Sequence, residues 1–406
     1  MHRVVVTGMS GISPIGDDWV AILSNLRMGN TGVRFMEDWN CYKDLDTRLG
    51  APVLNFRKPD HYTRKQVRSM GRVALMATVA TERALQNAGL LDDPKISDGR
   101  MGVSYGSSTG STEAVADFGD MLLNHSSGNI NANSYLKMMS HTAAVNIGVF
   151  FGLKGRIIPT STACTSGSQG IGYAYEAIKY GHQKLMVAGG AEELCATEAA
   201  VFDTLYATST KNSSPKLTPS PYDLNRDGLV IGEGAGTLIL EELSHALSRG
   251  AKIYAEIIGF GTNSDGSHVT QPKAETMYRC MVLALEQSAL SASDIGYVSG
   301  HGTATNRGDV AETQATMRLL GKVPISTLKS FTGHTLGACG ALEAMVAIEM
   351  MRLEWFHGTA NLNNVDPDCG DLDYIVGQGR EIKTDYVMSN NFAFGGINTS
   401  LIFRKT

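Results

Sequence analysis

Short apolar runs recur along the chain, most of them beside a glycine, at 4–6, 101–103, 185–188, 253–258, 297–298 and 386–388. They are brief and do not alternate with polar residues, which predicts strands buried on both faces. Between several of them the apolar positions fall at helical spacing, predicting helices over 73–88 and 277–289. Strand–helix alternation of this kind implies an α/β architecture in layers.

The order of the elements also repeats. A-L-Q-N-A-G-L (84–90) is answered by A-L-E-Q-S-A-L (284–290). Each precedes a strand and then a glycine-rich turn, Y-G-S-S-T-G-S at 105–111 and G-H-G-T-A-T at 300–305. Further on, C-T-S-G-S-Q-G-I-G from Cys164 pairs with H-T-L-G-A-C-G-A-L from His334, and M-V-A-G-G-A (186–191) with N-F-A-F-G-G-I (391–397). This order predicts two related halves, 1–250 and 251–406, the first enlarged by insertions at 110–140 and 196–230.

Composition narrows the function. Apolar residues make up 43% of the 406 and charged residues only 18%, below the usual quarter. That leaves room for a large core and a subunit interface. A net charge of −5 gives nucleic acid no general purchase. The six cysteines form no C-x-x-C pair and show no zinc-like spacing with histidine. They therefore read as reduced thiols of a cytoplasmic protein. The opening M-H-R-V-V-V-T-G-M passes at once into a strand, and no run of about 18 apolar residues suggests a membrane span. G-E-G-A-G-T (232–237) lacks the third glycine of a dinucleotide fingerprint. Neither a phosphate-binding G-x-x-x-x-G-K nor a metal-binding H-E-x-x-H occurs.

Within P-T-S-T-A-C-T-S-G-S-Q-G-I-G (159–172), Cys164 falls between an apolar run and a helix expected over 171–180. Unpaired N–H groups and the helix dipole at such a corner favour a thiolate. A buried structural thiol is the alternative from this stretch alone. If the halves are duplicates, equivalent helix starts face each other, and His334 opens the second one. His301 lies in the glycine-rich turn of the same half, so one thiol and two imidazoles converge.

Five stretches then carry a resemblance in order: T-A-C-T-S-G (162–167), Y-D-L-N-R-D-G-L-V-I-G-E-G-A-G (222–236), G-H-G-T-A-T-N-R-G-D (300–309), K-S-F-T-G-H-T-L-G-A-C-G-A-L-E (329–343) and N-N-F-A-F-G-G-I-N (390–398). From first strand to last, the chain resembles the elongating, Cys-His-His β-ketoacyl-(acyl-carrier-protein) synthases of the thiolase superfamily. The resemblance implies a duplicated, thiolase-like α-β-α-β-α layered fold with mixed sheets. It also implies a decarboxylative Claisen condensation that extends a fatty acid or polyketide chain by two carbons.

By the same resemblance Cys164 carries the acyl thioester, and the N–H groups of Cys164 and Phe394 form the oxyanion hole. His301 and His334, as neutral donors, stabilise the enolate left when malonyl thioester loses carbon dioxide. Lys329 and Glu343 match the family's lysine and glutamate beside them, with a structural ion pair as the other reading. Thr303 and Thr305 match threonines that hold the pantetheine arm, and Phe392, Phe394 and Gly395 the gate of the pocket. No cofactor is implied beyond the 4′-phosphopantetheine that arrives on acyl carrier protein. Arg64, Lys65 and Arg68, in T-R-K-Q-V-R followed by Arg72, resemble the carrier-docking helix; a solvated face is equally consistent. The family forms homodimers, and a heterodimer with a ketosynthase homologue is the alternative.

Four positions depart from the pattern. Asn306 replaces a common proline, which should loosen its loop, and Tyr206 stands where bacterial enzymes carry a docking arginine. The stretch 126–131 lacks a basic pair. Thr109, beside Ser108 and Ser111, lies where an apolar residue or glycine often lines the acyl pocket, and so suggests a chain that is not plainly saturated and long but unsaturated, aromatic or polyketide-type, brought by a dedicated carrier protein. Priming synthases need asparagine at His334. Thiolases need a second cysteine in the N-F-A-F-G-G turn, which has none. A chain-length-determining partner subunit would lack Cys164, and nothing around Cys164 resembles a papain-type protease.

Overall fold

The computed structural model describes residues 1–406. Eleven strands form one sheet: β1 (Val4–Ile12), β2 (Met101–Gly106), β3 (Ile157–Thr160), β4 (Leu185–Glu192), β5 (Gly234–Glu242), β6 (Ala255–Ser264), β7 (Tyr297–Ser299), β8 (Pro324–Ser326), β9 (Asp373–Tyr374), β10 (Tyr386–Phe392) and β11 (Ile397–Arg404). The spatial order is β9-β8-β7-β10-β11-β6-β1-β5-β4-β2-β3. Outward from its middle, the sheet runs β1-β5-β4-β2-β3 on one side and β6-β11-β10-β7-β8 on the other. These are the same steps in chain order, with β9 added at one edge. The directions agree as well. On each side the first two pairings are antiparallel and the next two parallel. The fold is a duplicated one, and the halves join where β1 pairs antiparallel with β6 over three residues, Val4 to Val6.

The apolar runs seen in the sequence lie in β1, β2, β4, β6, β7 and β10. The central strands β5 and β11 went unread, because glycines open one and the polar pair Thr399–Ser400 interrupts the other. Glycine lowers β-propensity and the polar pair breaks the apolar run, and pairing on both edges overrides both.

Two helices lie inside the fold. Helix α3 (Ser166–Lys179) follows β3, and α7 (Cys339–Leu353) occupies the matching place in the second half. In α7, 12 of its 15 residues are buried on all sides, the pattern of a helix enclosed by other elements. A 37-residue apolar cluster joins α3 and α7 to strands of both half-sheets. Separate clusters hold α1 (Arg72–Asn87) with α2 (Thr142–Phe151) on the outer face of the first half-sheet and α5 (Ala274–Ser288) with α6 (Asn306–Leu320) on the second. The layers therefore run α-β-α-β-α. The two inner helices meet backbone to backbone. A Cβ on Gly167 would lie 2.8 Å from Gly337 O, and one on Gly340 would lie 2.7 Å from Ser168 N. Only glycine permits that approach, and it draws the starts of both helices to one point.

Candidate active site

Each inner helix begins with a short 3₁₀ turn, Ala163–Thr165 before α3 and Leu336–Ala338 before α7. The first residue of each turn has positive φ, 49° at Ala163 and 42° at Leu336. Strain at both non-glycine positions marks corners that the surrounding fold imposes. The matching corners correct the sequence pairing: Cys164 lies opposite Gly337, and His334 falls three residues earlier. α3 also starts at Ser166, five residues before the expected helix, because small residues carry poor periodicity.

Despite that shift the three side chains meet. Cys164 Sγ and ring nitrogens of His301 and His334 all lie within 4.8 Å of one another, and all three residues are buried. His334 Nε2 is 2.9 Å from Cys164 Sγ. The His301 and His334 rings pack edge to face at 5.2 Å. This S,N,N set could also chelate a soft divalent cation. Backbone bonds fix His334 on both sides: its N–H donates to Val230 O at 2.7 Å, and its O accepts from Gly232 N at 2.9 Å. The His301 and Gly302 N–H groups donate to Glu312 at 2.5 and 2.7 Å. Nothing in the sequence marks Glu312, which sits in the second turn of α6.

A buried chain of contacts sets the proton on His301. Lys329 Nζ lies 2.5 Å from Glu343 Oε1, each side chain 1% exposed. Glu343 Oε2 accepts from Asn391 Nδ2 at 2.6 Å. A carboxylate only accepts, so the amide nitrogen of Asn391 must face it. The same nitrogen is 3.3 Å from His301 Nδ1, so Nδ1 accepts and the ring proton sits on Nε2. Asn391 was legible in the sequence only as part of N-N-F-A-F-G-G. His334 differs, since its buried Nδ1 has no hydrogen-bond partner and nothing pins its tautomer.

Burial, then the Lys329 charge, holds both imidazoles well below the usual histidine range. Burial also pushes the Cys164 thiol up to about 11, opposed by the Phe394 N–H and Lys329. The resting pair is thus neutral thiol and neutral imidazole. The thiolate expected from the helix start is not the resting form, because desolvation outweighs the dipole. Both rings should keep constant NMR shifts as pH falls from about 8 to about 5. A shift with a midpoint near the free histidine value would contradict this. With folded pKa values below the unfolded one, these rings' contribution to stability is present above about pH 6.5 and lost as pH falls.

A cavity of about 470 Å³ leads from the surface to Cys164, His301 and His334, lined by Thr303, Thr305, Phe392 and Phe394. Thr303 Oγ1 and Thr305 Oγ1 lie 2.9 Å apart. Phe394 stands partly exposed over the mouth, edge-on to Phe202 at 5.7 Å. Gly395 and Gly396 follow at φ 88° and 77°, so the turn that aims the Phe394 N–H at the sulfur needs glycine at both places. Asn306 begins α6, and its carbonyl accepts from Arg226 Nη2 at 3.1 Å. The preceding Thr303 and Ala304 N–H groups are tied to Asp309. The turn is held, not loosened as the missing proline suggested. Tyr206 is 89% exposed on the cavity rim.

Arg64 and Lys65 lie in the one-turn helix Arg64–Val67, with Arg68 as its cap. All three are exposed. Arg72 is not part of that surface: it forms an ion pair with Glu233 at 2.7 Å. Thr109 is exposed and lies outside the cavity, its hydroxyl 3.2 Å from Glu198 Oε1.

Two family models match the chain, β-ketoacyl synthase N-terminal domain over residues 1–246 and C-terminal domain over 254–363. Among curated relatives, a 3-oxoacyl-[acyl-carrier-protein] synthase 2 of Vibrio harveyi is 35% identical, with 100% of this chain and 99% of that protein covered. The crystal structure of a β-ketoacyl synthase from Burkholderia phymatum STM815 is 59% identical, covers 100% of both chains and superposes with a TM-score of 0.99. One chain in the structure of a type II PKS acyl-carrier protein in complex with its ketosynthase bound to the hexaketide matches at 31% identity and TM-score 0.87, covering 100% of this chain and 99% of that one. Fold, ordered motifs and relatives agree: the chain belongs to the β-ketoacyl synthase family.

Proposed function

We propose that this condensing enzyme loads an acyl group from acyl carrier protein onto Cys164 and joins it to the carbanion released from malonyl-carrier protein. The observation that carries the reading is the convergence of the Cys164 thiol and the two imidazoles at the foot of one cavity, with the Phe394 N–H turned to the sulfur. In the first half-reaction Sγ attacks the acyl thioester, and its proton passes through His334 Nε2 to the departing pantetheine thiol. The N–H groups of Cys164 and Phe394 hold the tetrahedral oxyanion. In the second, malonyl thioester enters, the carboxylate carbon leaves as carbon dioxide, and negative charge gathers on the thioester oxygen. His301 donates there from Nε2. His334, free to change tautomer, donates beside it. The enolate carbon attacks the Cys164 thioester, and the thiolate leaves. Neutral donors suit this step, since a protonated ring would attract the carboxylate and hold it back. The test is the mass of the product from acyl- and malonyl-carrier protein. A 3-oxoacyl thioester two carbons longer is expected, and release of free acid alone would overturn the reading.

Thr303 and Thr305 are the residues we assign to the pantetheine arm, Phe392, Phe394 and Gly395 to the gate. Carrier protein docks on Arg64, Lys65 and Arg68 in this reading, since none of the three has an acidic partner within the chain. Reversing all three to glutamate should raise KM for acyl-carrier protein about tenfold or more at low salt. Turnover of an acyl-pantetheine thioester should stay unchanged. Equal loss on both substrates would remove the docking role.

The halves 1–250 and 251–406 are the repeat units of this reading, supported by the mirrored strand order about β1 and β6. A cytoplasmic homodimer completes it. β3 is a free sheet edge leading directly to Cys164, and Leu122, Leu123, Tyr135, Val149 and Ile157 are exposed on nearby segments. An apolar face beside an open edge calls for a partner. No helix of the structure is long and apolar enough to cross a membrane.

A further inference from the structure

Three acids surround the turn that follows β2, and one is unlike the others. Glu192 accepts from Ser107 Oγ at 2.9 Å, Ser108 N at 2.7 Å and Gly337 N at 3.0 Å. Glu193 accepts from Ser111 Oγ, from the N–H and hydroxyl of Thr112, and from Val73 N. Both carboxylates are saturated and hold the turn in place. Glu198, only 5% exposed, has one contact, Thr109 Oγ1 at 3.2 Å from Oε1. Its Oε2 has no partner. Burial, then the charges of Glu192, Cys195 and Glu193, hold its carboxyl well above the usual carboxylate range. It is therefore a neutral acid with a proton to donate and no acceptor. The buried hydroxyls of Ser108 and Thr162 are likewise without partners, and Ser161 Oγ ties their two segments together through Ser108 O at 3.3 Å.

These groups belong to segments that flank the reacting sulfur. Thr162 is two residues from Cys164. Glu198 belongs to helix α4 (Ala196–Asp203), whose Ala196 and Ala199 pack in one apolar cluster with Cys164. Phe202, one turn beyond Glu198 on the same face, lines the cavity that reaches Cys164. The malonyl arm needs that cavity in the second half-reaction. An acyl chain already on Sγ must then leave that cavity free, and α4 is an element packed against Cys164 in the same apolar cluster.

We propose that Glu198 determines acyl specificity: its carboxylic acid, with the Ser108 and Thr162 hydroxyls, selects an acyl chain carrying a hydroxyl or carbonyl oxygen over a plain alkyl chain. The inference rests on the assignment of Cys164 as acyl carrier. An alkyl chain would cover three polar groups and leave them unpaired, whereas an oxygenated chain would satisfy them.

The test follows Cys164 acylation by intact mass, with octanoyl-pantetheine and its mid-chain hydroxy and oxo analogues in competition. Wild-type enzyme should load an oxygenated chain at least about tenfold faster, as expected for a site built to hydrogen-bond its substrate. Glu198→Leu should reverse the preference, and Glu198→Gln, which still donates, should keep it. Should Glu198→Leu fail to fold, Thr162→Val and Ser108→Ala report on the same ratio and should each lower it. One ratio across wild type and all variants overturns the inference, as does a wild-type preference for octanoyl. A change in oligomeric state with the ratio unchanged assigns Glu198 to a subunit contact and also overturns it. No acylation by any thioester would instead bring down the condensing role of Cys164, so the two failures are distinct.

Discussion

Cys164→Ala enzyme should carry no acyl group after incubation with acyl-carrier protein, and condensation should fall by about 10⁴-fold or more, the scale of losing a nucleophile that acts as part of a unit. The expectation follows from the position of the sulfur. Sγ is the one atom that faces His334 Nε2 and the Phe394 N–H together. Cys339 cannot replace it. Its thiol lies beneath, donating to Cys164 O at 3.2 Å, and burial holds it well above the ordinary thiol range. Intact mass reads the first effect directly. Normal acyl loading on the variant would mean that another residue takes the acyl group.

The second large effect is on stability. Lys329→Met leaves Glu343 alone at 1% exposure. Removing one member of a buried pair costs about 3–5 kcal/mol, because the remaining charge is uncompensated. Glu343 would then gain a proton, turn donor towards Asn391 and release the amide that fixes the His301 proton on Nε2. Malonyl decarboxylation should therefore fall along with the unfolding midpoint. The double variant Lys329→Met/Glu343→Leu should regain most of the stability and none of the activity, a coupling that a double-mutant cycle isolates. Recovery of activity in the double variant would reduce the pair to a purely structural role.

Much of this was legible in the sequence because the fold is written twice. The buried strands announced themselves as apolar runs, and the duplicated order placed a thiol and two histidines at equivalent corners. The register was not legible. Matching Cys164 to His334 is three residues out, since C-T-S-G and L-G-A-C-G share only small residues and the true landmark is the positive φ at Ala163 and Leu336. The roles of Glu312 and of Asn391, which stood out only as a member of N-N-F-A-F-G-G, were illegible for a different reason: each acts by contacts between distant segments that no local pattern encodes. The protonation of Cys164 was misjudged because the sequence reveals the helix start but not the depth of burial. Thr109, expected to line the acyl pocket, is exposed outside the cavity, and the buried acid it touches is Glu198, a residue unremarkable in A-T-E-A-A.

The central claim is that decarboxylation belongs to two uncharged imidazoles in the same pocket as the thiol. It is tested by following labelled carbon dioxide from malonyl-carrier protein with Cys164→Gln enzyme, alone and combined with His301→Ala or His334→Ala. Release by Cys164→Gln that disappears when either histidine is removed is the predicted result. Release that persists without both rings would contradict the account.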